Sequence, residues 1–129
     1  MKENKIKVLS IGPGQPPVVK EIGNDLASLQ AEVGGLIECI SFPNGCVVVC
    51  NDEGKLNGMP PNRRLGLDII CGSFFVCDTT CDGEFFSLSK SKIAEYSQLF
   101  EKVPVFTGEE PELEPHISVI GLDGMTGMQ

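Results

Sequence analysis

What this chain lacks narrows its chemistry before any motif is read. Among its 129 residues there is one histidine, His116, so the side chain most often used for proton transfer near neutrality is nearly absent. It follows the acidic, proline-bearing stretch GEEPELEP, a poor position for a general base in a compact catalytic centre. No apolar run approaches the roughly 18 residues that span a bilayer. The N-terminal MKENKIKVLS has neither an apolar core nor a small-residue cleavage site. The expectation is a cytoplasmic protein with no membrane partner. Apolar residues make up 41% and charged residues 22% of the chain, as in an ordinary folded domain.

The cysteines offer two C-x3-C pairs within the spacing of zinc knuckles, Cys46/Cys50 and Cys77/Cys81, the second less constrained because Cys81 falls in a turn. They stand at 39, 46, 50, 71, 77 and 81 with no CxxC pair. Cys46 and Cys50 lie in CVVVC, a strand-forming run that holds residues four apart about 13 Å from each other, too far for one tetrahedral ion. They read as reduced, small core hydrophobes. No metal and no cofactor is assigned.

Basic charge is also scarce. The net charge is −8, and the last 26 residues have no lysine or arginine against five acids. Residues 1–103 hold 13 acids and 10 bases. A chain of this kind is a poor direct nucleic-acid binder. The body is too weakly charged to imitate a nucleic acid.

What remains is a clear alternation of elements. KIKVLSI, residues 5–11, reads as a half-buried strand; GPGQPP forces a turn, and 17–22 returns as a hairpin partner. That turn matches no phosphate-loop pattern, and its prolines remove amide donors. Asn24 or Asp25 caps a helix over 26–33, closed by Gly34 in the left-handed conformation. Strands over 36–42 and 46–51 follow, the second apolar on both faces and hence central. The run 67–80 reads as one long central strand with a bulge or close approach at Gly72. Ser89 caps a second helix over 90–102, with Leu88 and Ile93 as a hydrophobic staple and Pro104 as its stop. VFTG and HISVIGLDG suggest two further short strands. The fold class is α+β: two layers, a mostly antiparallel sheet of five to six strands, and two helices on one face. The opposite face then needs the C-terminal segment or another subunit to cover it. Residues 1–103 form the domain and 104–129 an acidic C-terminal segment.

One stretch stands apart, NDEGKLNGMPPNRRL from Asn51 to Leu65. Together with Val33-Gly34-Gly35 upstream and Asp68 to Phe75 downstream, it resembles the family known as domain of unknown function 3846. The matching positions are Asn51 to Leu56, Gly58, Pro60 and Asn62-Arg63, and the resemblance covers roughly residues 5–103. The spacer from Arg63 to Asp68 is shorter than is usual in that family, and the acidic segment lies outside the match. The resemblance implies a protein of Gram-positive bacteria, their phages and mobile elements, without an established activity.

Two readings of the loop stand side by side. In the first, Asn62 caps a helical turn, NRRL, and Arg63 pairs with Asp68 or Glu53. In the second, Lys55, Asn57, Asn62, Arg63 and Arg64 converge on an anionic or amide-bearing ligand, because arginine offers a planar fork and asparagine a paired donor and acceptor. No catalytic residue is assigned. The expected function is non-enzymatic binding of a small anionic ligand or a host protein through the 55–64 loop, and the possibility of a homo-oligomer stays open. The alternatives are a small enzyme on a nucleotide-like substrate, with Cys50 or Asp52 as chemistry and Arg63 as anion clamp, and an assembly module using the acidic tail.

Overall fold

A computed structural model describes residues 4–114. The chain order is β1 (Lys5–Ile11), β2 (Val18–Gly23), α1 (Leu26–Val33), β3 (Ile37–Ser41), β4 (Cys46–Asn51), β5 (Pro61–Leu65), β6 (Asp68–Cys71), β7 (Phe74–Thr79), β8 (Phe85–Phe86) and α2 (Lys90–Leu99), then a 3-10 turn at Pro111–Leu113. Six strands form one antiparallel sheet in the order β2-β1-β7-β4-β3, with β8 added to β7, and β5 and β6 pair as a separate small sheet. The architecture is α+β.

β4 and β7 sit inside the sheet because both of their faces are apolar. Val48 stands opposite Val76 and Val49 opposite Phe75, and every residue of β4 is buried. Alternation along the strands then builds two cores. Cys46, Val48, Cys50, Phe74 and Val76 point to one face, where they meet Tyr96 of α2 and Phe100 just after it. Val47, Val49, Phe75 and Cys77 point to the other, against Leu29 and Val33 of α1.

The two helices therefore cover opposite faces, which corrects the one-face arrangement expected from the sequence. A strand with period-2 alternation and no polar face needs apolar cover on both sides. One helix on each side supplies it, with the β5–β6 hairpin adding Ile70 and Leu65 to the α2 side. No second subunit is needed to close the sheet.

Local signals account for most boundaries. Asp25 accepts the Ser28 N–H at 2.8 Å to open α1, and Gly34 closes it at φ 80°. Asn24, the other candidate cap, is buried with its amide on the Phe85 carbonyl. Ser89 accepts the Lys92 N–H to open α2. Tyr96 and Asn44 exchange hydrogen bonds, and Lys92 reaches Asp78 at 2.9 Å, so α2 is tied to the β3–β4 turn and to β7.

Several expectations fail for tertiary reasons. The run 67–80 is two strands: at Gly72 (φ 87°) the chain leaves the small sheet for the large one. The Gly72 N–H donates to Pro60, and a β-carbon there would lie 2.7 Å from the Met59 sulfur. The stretch 62–65 is strand, not a helical turn, because it pairs with β6. α2 ends at Leu99, so Lys102 and Pro104 lie beyond it. Residues 105–108, the VFTG stretch, form no strand, while Phe85–Phe86 pairs with β7. The strand expected in HISVIGLDG, and His116 with it, falls outside the described residues.

Candidate functional site

The loop from Asn51 to Leu65 has a closed half and an open half. In the closed half, Asn62 and Arg63 are 1% and 3% exposed. The Asn62 amide donates to the carbonyls of Ile11 at 2.9 Å and Gly72 at 2.8 Å, which fastens the end of β1 to the break between β6 and β7. Arg63 donates through Nε and Nη2 to the Phe100 carbonyl, at 3.1 and 3.0 Å. Its Nη2 also reaches Gln15 at 2.7 Å, and its Nη1 reaches both oxygens of Asn62. Phe100 is the C-cap of α2. The guanidinium thus satisfies a terminal helix carbonyl and places positive charge at the negative end of the helix dipole. Burial lowers the pKa of Arg63, yet arginine stays charged in proteins.

Asn51 does the corresponding work on the other face. Its amide donates to Val33, the last residue of α1, at 3.1 Å, while its carbonyl oxygen accepts the Glu53 N–H at 2.7 Å. The approach is close: a β-carbon on Gly35 would lie 2.9 Å from that amide nitrogen. Gly54 in turn leaves room for Cys71, whose carbonyl oxygen is only 2.5 Å from where a β-carbon would stand. One loop therefore secures the C-terminal ends of both helices, one on each face of the sheet.

The open half borders a cavity of about 330 Å³ between the turn after β4 and strand β6. Glu38, Asp52, Glu53 and Asp68 bring four carboxylates to its lining, and Lys55 is its one base. Lys55 pairs with Asp68. Deeper in the lining are Cys50 and Cys71, both buried. The Cys50 sulfur lies 3.8 Å from the Glu38 carbonyl. Burial first, then the charges of Glu38, Cys39, Asp52 and Asp68, push its thiol pKa up to about 12. A thiol so placed stays protonated at neutral pH and is a weak nucleophile.

The five residues selected from the sequence are therefore not brought together. Lys55 lines the cavity. Asn57 is exposed on its turn, with its N–H on Glu53. Asn62 and Arg63 are enclosed, with their donors occupied. Arg64 points to the C-terminal segment, where it pairs with Glu112 at 2.6 Å and stands 6.0 Å from the Phe106 ring centre. That pairing holds the Glu112 carboxyl below its ordinary pKa. The anticipated Arg63 partners were carboxylates; the partners found are backbone carbonyls and the side-chain oxygen of Asn62. Glu38 was missed altogether, since it arrives from β3 and no motif marks it.

The chain belongs to the family described as Domain of unknown function (DUF3846), whose sequence profile matches residues 6–101. No curated protein and no solved structure matches it. No helix among the described residues is long and apolar enough to cross a membrane.

Proposed function

We propose that this is a non-enzymatic binding protein of phage or mobile-element type, and that its ligand is taken in the cavity bordered by Asp52–Leu56 and β6. The observation that carries this reading is the division of the loop. Its asparagine and arginine donors at 51, 62 and 63 are occupied by backbone carbonyls, whereas the charged groups at 52, 53 and 55 border a concavity of side-chain size. Small-molecule sites are concave, with a few polar groups converging on an apolar floor. Here Ile40, Ile69 and Ile70 supply apolar lining. An anion is disfavoured, because the four lining carboxylates outnumber Lys55.

The rival reading, a small enzyme on a nucleotide-like substrate, loses two of its parts. Arg63 is unavailable as an anion clamp, and Cys50 is held as the neutral thiol. The acidic-tail module is likewise weakened at Glu112, which is engaged by Arg64 within the chain.

Amide-resolved NMR on the intact protein tests the proposal with separate additions of amines, guanidines, carboxylates, phosphates and nucleotides. Shifts concentrated at residues 50–56 and 68–71 are expected for at least one class. Shifts confined to other surfaces would remove the cavity as the site, and product formation by mass spectrometry would restore the enzyme reading.

A further inference from the structure

Resting on the binding reading above, we infer that the cavity receives a lysine or arginine side chain from a basic, leucine-rich segment of a partner protein. Three features of the rim carry this. Lys55 is already neutralised by Asp68, while Glu38, Asp52 and Glu53 are exposed and carry no ion pair among the described residues. The site thus has uncompensated negative charge against partly apolar walls. The space of about 330 Å³ suits one long side chain rather than a folded surface.

The third feature selects a peptide over a free small cation. Leu56, on the cavity lining, is 60% exposed. Leu67, at the hairpin tip one residue before Asp68, is 97% exposed. An acidic hollow with an open leucine on its lining, and a second next in sequence to the lining residue Asp68, matches a cation with apolar neighbours along the same chain. Apolar contact and charge complementarity are the usual pairing of anchor and specificity at an interface.

Charge also weighs against the nearest alternatives. Residues 104–129 carry five acids and no lysine or arginine, so this chain's own tail has none of the required side chains. A second copy brings a net charge of −8, and like-charged bodies repel.

The test uses the full chain and the labelled peptide Gly-Ser-Leu-Arg-Leu-Ser-Gly. Controls are the same peptide with citrulline for arginine, spermidine, and inorganic phosphate, all followed by fluorescence anisotropy or competition and by amide NMR. The inference expects shifts at 52–56 and 67–71, with citrulline binding at least about tenfold more weakly, since hydrogen bonds to a charged group are the strong ones. D52N/E53Q should weaken binding roughly fivefold, the size of a partly exposed ion pair, and L67S should weaken it without changing its salt dependence. All these positions are exposed, so amide dispersion equal to wild type will show that the variants fold. Equal binding of citrulline peptide, or spermidine binding as tightly as the arginine peptide, overturns the basic-segment inference while leaving a cavity that binds. Phosphate shifting the same residues does likewise. No shift at 52–56 and 67–71 from any of these probes overturns the inference, and the broader ligand panel then decides the parent reading independently.

Discussion

Asn62 and Arg63 lie only seven and eight residues beyond Lys55, and all three are polar groups in one glycine- and proline-rich loop. Yet two are enclosed and one borders open space. The difference comes from what the surrounding chain presents. Around Asn62 and Arg63 stand carbonyls that no strand or helix can satisfy: the ends of β1 and α2, the turn at Gln15, and the break at Gly72. A buried carbonyl without a donor is costly, and side chains with several N–H groups are the natural remedy. Around Lys55 stand carboxylates instead, which water can also solvate. Polar residues of the same kind thus serve the fold in one half of the loop and the surface in the other.

The sharpest way to break this comparison is Arg63→Ala. It orphans carbonyls of Phe100 and Gln15 at once, and a loss of about 3–5 kcal/mol is expected from removing a buried charged donor set, read as the urea midpoint. Arg63→Lys should restore little, since an ammonium lacks the fork that bridges two carbonyls. A variant that keeps wild-type stability would show that the guanidinium is dispensable to α2. Next comes Asn62→Ala, which strands two carbonyls and should cost about 2–3 kcal/mol by the same measurement. Gly54→Ala pushes a methyl against the Cys71 backbone and should cost roughly 1–3 kcal/mol. Lys55→Ala should lie at the small end, about 0–1 kcal/mol, because its ion pair with Asp68 is largely exposed on the acid side. If Lys55→Ala proved as damaging as Arg63→Ala, the division of the loop would be wrong.

A pH experiment sharpens the same contrast from the thiol side. Cys50 has a folded pKa near 12 against 9.0 for the unfolded thiol. Above pH 9 the unfolded state loses a proton that the folded state keeps, so the stability contributed by the neutral thiol is full below 9 and declines as pH rises toward 12. The urea midpoint should fall through that window. Native-state alkylation at pH 8 should modify the exposed Cys39 and Cys81 well before Cys50.

Much of the fold was legible because its signals are local. The bounds of β1, α1 and β4 follow from alternation, an aspartate cap and a left-handed glycine, and the structure has them at Lys5–Ile11, Leu26–Val33 and Cys46–Asn51. The motif at Asn51–Arg63 was legible as something particular, and the family it points to is the family found. Its role was not legible. An asparagine that caps a helix 18 residues away, or an arginine that caps one 37 residues away, leaves the same letters as one that greets a ligand.

The sequence alone determined the α+β class, the two apolar central strands and the helix starts, because alternation, caps and glycine conformations act within a few residues. Only the tertiary structure decided that the helices lie on opposite faces, that residues 67–80 divide at Gly72, and which polar groups remain open. Those outcomes depend on which carbonyls and carboxylates arrive from distant strands, and burial of a polar group is settled by the partners it meets there.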